Sequence, residues 1–368
     1  MPDEVERNFD FGSDAGNESL ADVAKLCGVT PALVVRVLKG EQTYSVTDAV
    51  RTKVVNAARK LGYVDKAIGR DDQARRRTPV IGLFLAPRAR FAEGLYESQI
   101  DGVSDVLHVC RYNVFIELSS AGQDADQLAS WQFDGAILMQ RPKPETVAEL
   151  DRRRVPYVCV NERIGNPDAF VLADDAMGMN RSIEHLAQLG HQRLAYANAR
   201  ATYLDHGSVT ERYAAFLDGA RSRGLHVVDG HNVPFASPGD FLRDAVIRQS
   251  ATAIITYDHR IAVALVGAAS ALSLRIPEDF SLICFNDLFP VDLLPTPLTA
   301  VRVSGREMGR MGADLLLKFI LTQRPRSPRE IRIAEDFVVR ASTAPPGSRA
   351  PARRDLIATS AAGNGSGD

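Results

Sequence analysis

Apolar residues recur at helical spacing in three consecutive stretches near the start of the chain. Each stretch lies between a hydroxyl residue that can cap a helix and a glycine that tolerates the left-handed conformation at a helix end. The bounds are Ser19 to Gly28, Thr30 to Gly40 and Thr47 to Gly62. The positions that should face inward are Leu20, Val23, Ala24, Cys27, Val34, Val37, Leu38, Val50, Val54, Ala57 and Leu61. About two residues separate the first two stretches, which predicts a helix-turn-helix headpiece that binds DNA. The alternative is a helical hairpin that only packs.

After residue 78 the pattern changes to short, nearly all-apolar runs that alternate with amphipathic helical segments. The runs predict strands at 80–86, 113–118, 136–139, 155–160, 193–196, 252–256 and 280–285. The intervening segments predict helices at 91–108, near 124–131, and at 175–189, 209–223 and 259–273. Such alternation is typical of a parallel α/β architecture, and the span is long enough for two similar subdomains. Ligands bind at the carboxyl ends of strands in open α/β sheets, so two facing sheets predict a cleft.

Charge is distributed unevenly, although the net charge is only −2. Residues 18–78 hold 12 Lys or Arg against 7 Asp or Glu, whereas residues 1–17 hold five acidic residues and one Arg. A basic module on a mildly acidic body favours a protein that binds a polyanion at one end.

The remaining chemistry of the sequence is sparse. The four cysteines are widely spaced, and we expect them to be buried core residues in a reducing cytoplasm. We see no signal peptide or long apolar span, which counts against an exported solute-binding protein and predicts no membrane partner. No metal-ligand spacing, phosphate loop or nucleophile elbow is present, so we expect no metal, no cofactor and no enzymatic activity.

Several runs of the sequence resemble the LacI/GalR family of transcriptional regulators. In the headpiece they are DVAKLCGVT, RVLKG and the ending LGY. In the body they are DDAMG, HLAQLGHQRLAY, the pair Ser208-x-x-x-Arg212 and IPEDFSLICFND. The resemblance extends from about Ser19 to Thr343. It implies an N-terminal all-α helix-turn-helix headpiece and an α/β, periplasmic-binding-protein-like core of two doubly wound parallel-sheet subdomains.

This resemblance predicts the domain boundaries. We expect a disordered acidic tail over 1–17, a headpiece over 18–63, a hinge over 64–78, a core over 79–344 and a disordered tail over 345–368. One core subdomain should hold about 79–173 plus 305–332, and the other about 174–304 plus 333–344.

The resemblance also makes the second helix the recognition helix. Arg36 matches the family's recognition arginine and can contact guanine N7 and O6, the alternative being a solvated surface arginine. Pro31 and Ala32 offer DNA only apolar contact, and Leu33 and Val35 replace hydroxyl residues that would donate to phosphate. The full set of DNA-binding candidates is Thr30, Pro31, Ala32, Val35, Arg36, Lys39, Thr47, Ile68 and Arg70.

The hinge departs further from the family pattern, which places a leucine wedge in the minor groove. Asp65 and Lys66 replace the usual proline and asparagine, and Asp72 replaces the leucine. Because phosphates repel a carboxylate, we expect no wedge at that position, and Ile68 is the apolar candidate one turn earlier. Arg75–Arg77 either contact phosphate or form a solvated tether.

For the cleft, the predicted effector-binding residues are Phe91, Asn161, Arg212, Asp258, Phe285, Asn286 and Asp287. They lie near strand ends or helix starts and offer donors and acceptors suited to hydroxyls or a carboxylate. For Arg212 the alternative role is a structural salt bridge, and for the aromatic residues it is core packing. Glu162 is a weaker candidate.

These observations predict a cytoplasmic, nucleoid-associated homodimer that reads a pseudo-palindromic operator in double-stranded DNA. The family resemblance implies a repressor whose DNA affinity is set by a small-molecule effector, a sugar or a derivative of one. The alternative is a small-molecule-binding homologue whose DNA binding is weakened or altered, as the unusual recognition helix and acidic hinge suggest.

Overall fold

The computed structural model describes residues 20–30, 33–34, 37, 47–61, 79–85, 94–118, 133–139, 144–198, 206–228, 237–321 and 327–347. The headpiece and the two-sheet core fall in separate compact units. Within the described residues, no helix combines the length and apolar character needed to cross a bilayer.

The headpiece contains helices α1 (Leu20–Cys27) and α2 (Asp48–Lys60), and residues 33, 34 and 37 between them are also helical. The predicted stop at Gly28 is confirmed: its φ is +66°, and the Val29 amide donates to the Ala24 carbonyl (3.0 Å). The predicted caps are confirmed as well, since Thr30 Oγ1 accepts from the Leu33 amide (3.3 Å) and Thr47 Oγ1 from the Val50 amide (3.4 Å). The predictions for Ser19, Gly40 and Gly62 lie outside the described residues.

Eight buried side chains form the headpiece core: Val23, Ala24, Cys27, Val34, Val37, Val54, Ala57 and Ala58. Val50 and Leu61 pack against this cluster while half-buried, as do Val29, Leu33 and Val55. The apolar periodicity therefore identified the inward face of the described helices, whereas the predictions for Leu20 and Leu38 concern side chains outside the described set.

The first sheet of the core is parallel, with the strand order β11-β5-β4-β3-β1-β2. Its strands are β1 (Val80–Leu85), β2 (Asn113–Leu118), β3 (Gly135–Leu138), β4 (Tyr157–Val160), β5 (Ala169–Ala173) and β11 (Arg329–Ile333). Its helices are α3 (Leu95–Val109), α4 (Pro144–Arg152) and α9 (Gly305–Leu321).

Helices α3 and α9 pack with almost no space between their backbones. A Cβ atom built on Gly102 of α3 would collide with the Arg306 carbonyl, and one on Gly309 of α9 would collide with the Gln99 carbonyl. The Arg306 guanidinium also bonds the Asp105 carboxylate (2.8 and 3.0 Å). Both glycines are required by this close approach.

The second sheet has the order β12-β10-β9-β8-β6-β7 and is parallel except for the antiparallel edge strand β12. Its strands are β6 (Arg193–Ala197), β7 (His226–Val227), β8 (Ala253–Thr256), β9 (Ser281–Phe285), β10 (Thr299–Arg302) and β12 (Asp336–Val338). Its helices are α5 (Asp175–Gln188), α6 (Gly207–Ser222), α7 (Pro238–Leu242), a π-helix over Arg243–Arg248, and α8 (His259–Ala271).

The chain passes between the sheets after β5, after β10 and after β11. These crossings bring β5, the start of α5 and the segment after β11 together. The predicted fold class, a headpiece plus two doubly wound parallel sheets, is confirmed.

Several details differ from the sequence predictions. The strand predicted from residue 155 begins at Tyr157. The elements that were not predicted are strands β5, β7, β10, β11 and β12, helices α4, α7 and α9, and the π-helix. The helix predicted near 124–131 lies outside the described residues, as does the predicted start of α3. Cys27, Cys159 and Cys284 are buried as predicted, whereas Cys110 is only half-buried.

Candidate functional site

Two of the predicted DNA-binding residues, Thr30 and Thr47, lie in the described part of the headpiece. Both are exposed, and both use the hydroxyl oxygen to cap a helix. Each hydroxyl hydrogen therefore stays available to a phosphate oxygen. The other candidates lie outside the described residues: Pro31, Ala32, Val35, Arg36, Lys39, Ile68 and Arg70.

Leu33 explains one departure from the family pattern. This residue stands where the resemblance has a threonine, and its side chain packs against the headpiece core. Its apolar surface therefore contributes to the folding of the headpiece.

In the core, the carboxyl ends of β4 and β5 face the amino end of α6 across a small pocket. The residues around it are Asn161, Glu162, Arg163, Leu172, Ala173, Asp175, His206, Gly207, Ser208 and Glu211. The space between them is about 20 Å³, which is room for roughly one water molecule. Polar and charged side chains dominate this lining, and they come from both sheets.

At the edge of the pocket, four charged residues form what we call the rim network: Arg163, Glu211, Glu330 and Arg332. Glu211 on α6 accepts from both Nη atoms of Arg332 (2.9 and 3.0 Å) and from Arg163 Nη2 (3.4 Å). Glu330 accepts from Arg163 (2.5 and 2.9 Å) and from Arg332 Nε (2.9 Å). Each side chain remains 31–39% exposed. The bonds from Arg163 hold the pKa of Glu330 down at about 2, and those from Arg332 lower the pKa of Glu211.

A second contact between the two halves of the core runs through His206. The Ser208 amide donates to His206 Nδ1 (3.2 Å), so Nε2 carries the ring proton and faces the Glu162 carboxylate (3.3 Å). The Ser208 hydroxyl in turn bonds both His206 Nδ1 (2.7 Å) and the Tyr257 hydroxyl (2.8 Å). Together these contacts link the end of β4 to the end of β8.

Beneath the pocket, Arg212, Asp175, Phe285 and Glu335 form what we call the floor cluster. Arg212 is 4% exposed; its Nε donates to Asp175 Oδ1 (2.6 Å) and its Nη1 to the Tyr257 carbonyl (2.6 Å). The Phe285 ring lies 4.2 Å from the guanidinium carbon, in cation–π contact. Burial raises the pKa of Asp175, and the adjacent Arg212 opposes that rise.

Glu335 completes the floor cluster from the segment after β11. It is 1% exposed, and within the described part of the chain neither carboxyl oxygen has a hydrogen-bond partner. Its carboxyl group lies directly over Gly178 of α5, where a Cβ atom would collide with it. Burial, reinforced by Asp175, raises the pKa of Glu335 to about 8. Burial therefore favours the protonated carboxyl over the carboxylate at this position.

The structure places the predicted effector residues at different depths. Asn161, with a φ of +63°, lines the pocket directly. Arg212 and Phe285 lie below the pocket in the floor cluster, so Phe285, which is fully buried, packs as a core residue beneath an arginine. Asn286 has a φ of +65°, and its Oδ1 is buried with no partner among the described residues.

The two predicted aspartates are held by neighbouring groups. Asp258 caps α8 by accepting from the Ile261 amide (2.9 Å) and bonds Arg260 (2.8 and 3.1 Å). Asp287 is bonded by Arg302 and Arg340 at 2.7–3.0 Å. Phe91 lies outside the described residues. An effector-binding role for all seven residues stays a prediction.

Sequence reasoning missed Arg163, His206, Glu211, Glu330 and Arg332, and it gave Glu162 little weight. A usable signal existed for Arg163, which follows the apolar run of β4 and so lies at the carboxyl edge of a sheet. Glu330 and Arg332 belong to a strand with a mixed pattern that the sequence did not reveal.

Two family models match the chain and together cover more than half of it. Residues 19–65 match the bacterial regulatory proteins of the lacI family, and residues 183–343 match a periplasmic binding protein-like domain. An HTH-type transcriptional repressor, MelR of Bacillus subtilis (strain 168), is 28% identical over 314 residues, which is 81% of this chain and 90% of MelR.

Solved structures agree with these matches. A LacI family transcriptional regulator from Mycobacterium smegmatis has a TM-score of 0.60 and 25% identity, covering 72% of this chain and 99% of that one. The structure titled transcriptional regulator CelR–cellobiose complex has a TM-score of 0.63 and 24% identity, covering 89% of this chain and 100% of that one.

A capped helix-turn-helix unit followed by two facing parallel sheets defines a DNA-binding regulator with a periplasmic-binding-protein-like core. With both models and these relatives in agreement, the chain belongs to the LacI family of transcriptional regulators.

Proposed function

We propose that this regulator is a homodimeric repressor that binds a pseudo-palindromic operator and whose operator affinity is set by a sugar or sugar derivative in the pocket between the sheets. The observation that supports the proposal is the lining of that pocket, to which both halves of the core contribute hydroxyl, amide, imidazole, carboxylate and guanidinium groups. Such groups match the many hydroxyls of a sugar. In this structure the pocket has room for roughly one water molecule, so the two halves must move apart to admit a sugar. The relative named as a repressor supports the direction of control. A structure of the same fold, CelR, is titled as a complex with the disaccharide cellobiose, which supports a sugar as the effector.

The homodimer is supported by exposed apolar side chains on the core. Phe289 is 77% and Leu293 is 70% exposed, both in the segment between β9 and β10. Exposed apolar residues that lie near one another often mark an interface. Two headpieces related by a two-fold axis would read two half-sites of opposite orientation. Replacing both residues by serine is expected to yield monomers in light scattering.

Binding-site selection from random DNA, with the full-length protein at a fixed salt concentration, tests the DNA-binding part. We expect a pseudo-palindromic site to be enriched by the wild type and not by Arg36→Ala. The salt must be fixed because phosphate contacts make the affinity depend on ionic strength.

The second candidate function, a ligand-binding homologue with weakened DNA binding, has one observation in its favour. The half-buried Leu33 packs against the headpiece core at a position where the family resemblance has a threonine, whose hydroxyl we expect to donate to phosphate. Selection that enriches no palindrome at moderate salt would favour this candidate over the first.

The effector part is tested by thermal unfolding in the presence of cellobiose, sucrose or glucose. A ligand that binds only the folded state raises the melting temperature in proportion to the logarithm of its concentration. An active sugar should raise the melting temperature of the wild type. It should do so less for Asn161→Ala, which alters the pocket lining and leaves the headpiece unchanged.

A further inference from the structure

We propose that the rim network is a latch that holds the two halves of the core together across the pocket, so that an effector reaches Asp175 and Ser208 only after Glu211 has left its arginines. The inference rests on the proposed function in one respect, namely that the pocket is the effector site. The latch itself concerns the protein alone and can be tested without an effector.

The four residues of the rim network come from both halves of the core. Arg163 follows β4, and Glu330 and Arg332 lie on β11, so three of the four residues belong to the first sheet. Glu211 lies on α6 of the second half. Every bond that Glu211 makes in this network therefore crosses the pocket, whereas the bonds of Glu330 stay within one half.

The arrangement of charges supports the latch. Glu330 bonds both Arg163 and Arg332, and this fixes the two guanidinium groups side by side before Glu211 approaches. A carboxylate that meets two pre-positioned guanidinium groups loses less conformational entropy than one that must order a free arginine. Four charges in one network also stabilise more than an isolated surface pair. The contact between Glu162 and His206 also crosses this pocket, and it too holds the two halves of the core together.

The partial exposure of the four side chains allows the network to open. The four side chains keep about a third of their surface in water, so the charges stay solvated when the network opens. Opening therefore avoids the large penalty of a buried unpaired charge. The rim network is therefore strong enough to favour the closed pocket and weak enough to open, as a gate to the pocket requires.

Hydrogen–deuterium exchange of the full-length protein tests the latch. The variant is Glu211→Gln, which keeps the shape and removes the charge. Its matched control is Asp218→Asn on the same helix, whose partner Arg221 lies on α6 as well. We expect amides in residues 161–166, 206–213 and 329–333 to exchange about fivefold faster in Glu211→Gln, the change that about 1 kcal/mol produces. The control should exchange as the wild type does.

Two further measurements keep the result decisive. The double variant Glu211→Gln/Arg332→Gln should exchange more slowly than the product of the two single effects predicts, because both substitutions remove the Glu211–Arg332 pair. In the wild type, exchange at these segments should rise between about 0.05 M and about 0.5 M NaCl, since salt screens exposed pairs. Unchanged exchange in Glu211→Gln, or salt-independent exchange in the wild type, overturns the latch. Neither result bears on whether DNA or a sugar is bound, so failure of the latch and failure of the proposed function are distinguishable.

Discussion

The rim network and the floor cluster use the same chemical groups, carboxylates and guanidinium groups, at two depths of one pocket. At the rim, Glu211 and Arg332 are each 31% exposed, and water can replace each partner. On the floor, the side chains of Arg212 and Asp175 are 5% and 6% exposed, so solvent has little access to either partner. An exposed ion pair can therefore open at little cost, whereas a buried ion pair must stay formed. We assign a regulatory role to the rim network and a structural role to the floor cluster.

The largest effect should come from breaking the floor pair. Asp175→Asn leaves the Arg212 charge buried without its counter-charge, which should cost about 3–5 kcal/mol of unfolding free energy. Urea denaturation measures it. The control is Asp218→Asn, whose pair with Arg221 is more than 70% exposed on both sides and should hardly matter. If the two variants lose similar amounts of unfolding free energy, burial does not determine how much an ion pair contributes to stability in this protein.

The second effect is a pH dependence that belongs to Glu335. Its folded-state pKa, about 8, lies above the ordinary value of 4.5. The folded state therefore binds the proton more tightly than the unfolded state does. The resulting stabilisation is complete below about pH 4.5 and is lost as the pH rises through about 8.

Glu335→Gln removes this titration while keeping the shape of the side chain. Between about pH 6 and pH 8, the unfolding free energy of the wild type should fall by about 2 kcal/mol more than that of the variant. Asp175, Arg212, Asp174 and Arg181 surround the group in both proteins, so the difference between the two isolates Glu335. Parallel pH profiles would show that this carboxyl does not titrate in that range.

The smallest effect on stability should come from the rim. Glu211→Gln should lower the unfolding free energy by less than about 1 kcal/mol, because the side chain is already partly hydrated. The same variant should accelerate exchange around the pocket, as argued above. A loss of stability as large as that of Asp175→Asn would place Glu211 with the structural residues and remove the distinction between the two depths.

Local patterns in the sequence predicted the scaffold well. The caps at Thr30 and Thr47 and the stop at Gly28 depend on a few adjacent residues, and the buried strands are continuous apolar runs. Strands β5 and β11 were harder to predict, because β5 follows closely on a polar turn and β11 alternates charged with apolar residues. Their pairing joins segments that are far apart in the chain.

The site was less predictable than the scaffold because its chemistry depends on which residues meet. Arg212 was a candidate from the family resemblance and from its position near a helix start, but its partner Asp175 lies 37 residues away. Glu335, in the run IAEDF, looks like an ordinary surface residue and is buried only because the chain returns there between the sheets. The rim network likewise forms only where three separate segments of the chain meet, and no local sequence pattern predicts that meeting.

The most direct test of the central claim is the operator affinity of the full-length protein with and without a sugar that raises its melting temperature. The operator is the site enriched by selection, and the salt concentration is held fixed. If the pocket controls the headpieces, the dissociation constant should change by at least about fivefold, the lower end of typical allosteric couplings. If the sugar binds and the dissociation constant for the operator stays the same, the pocket does not regulate DNA binding and the account is wrong.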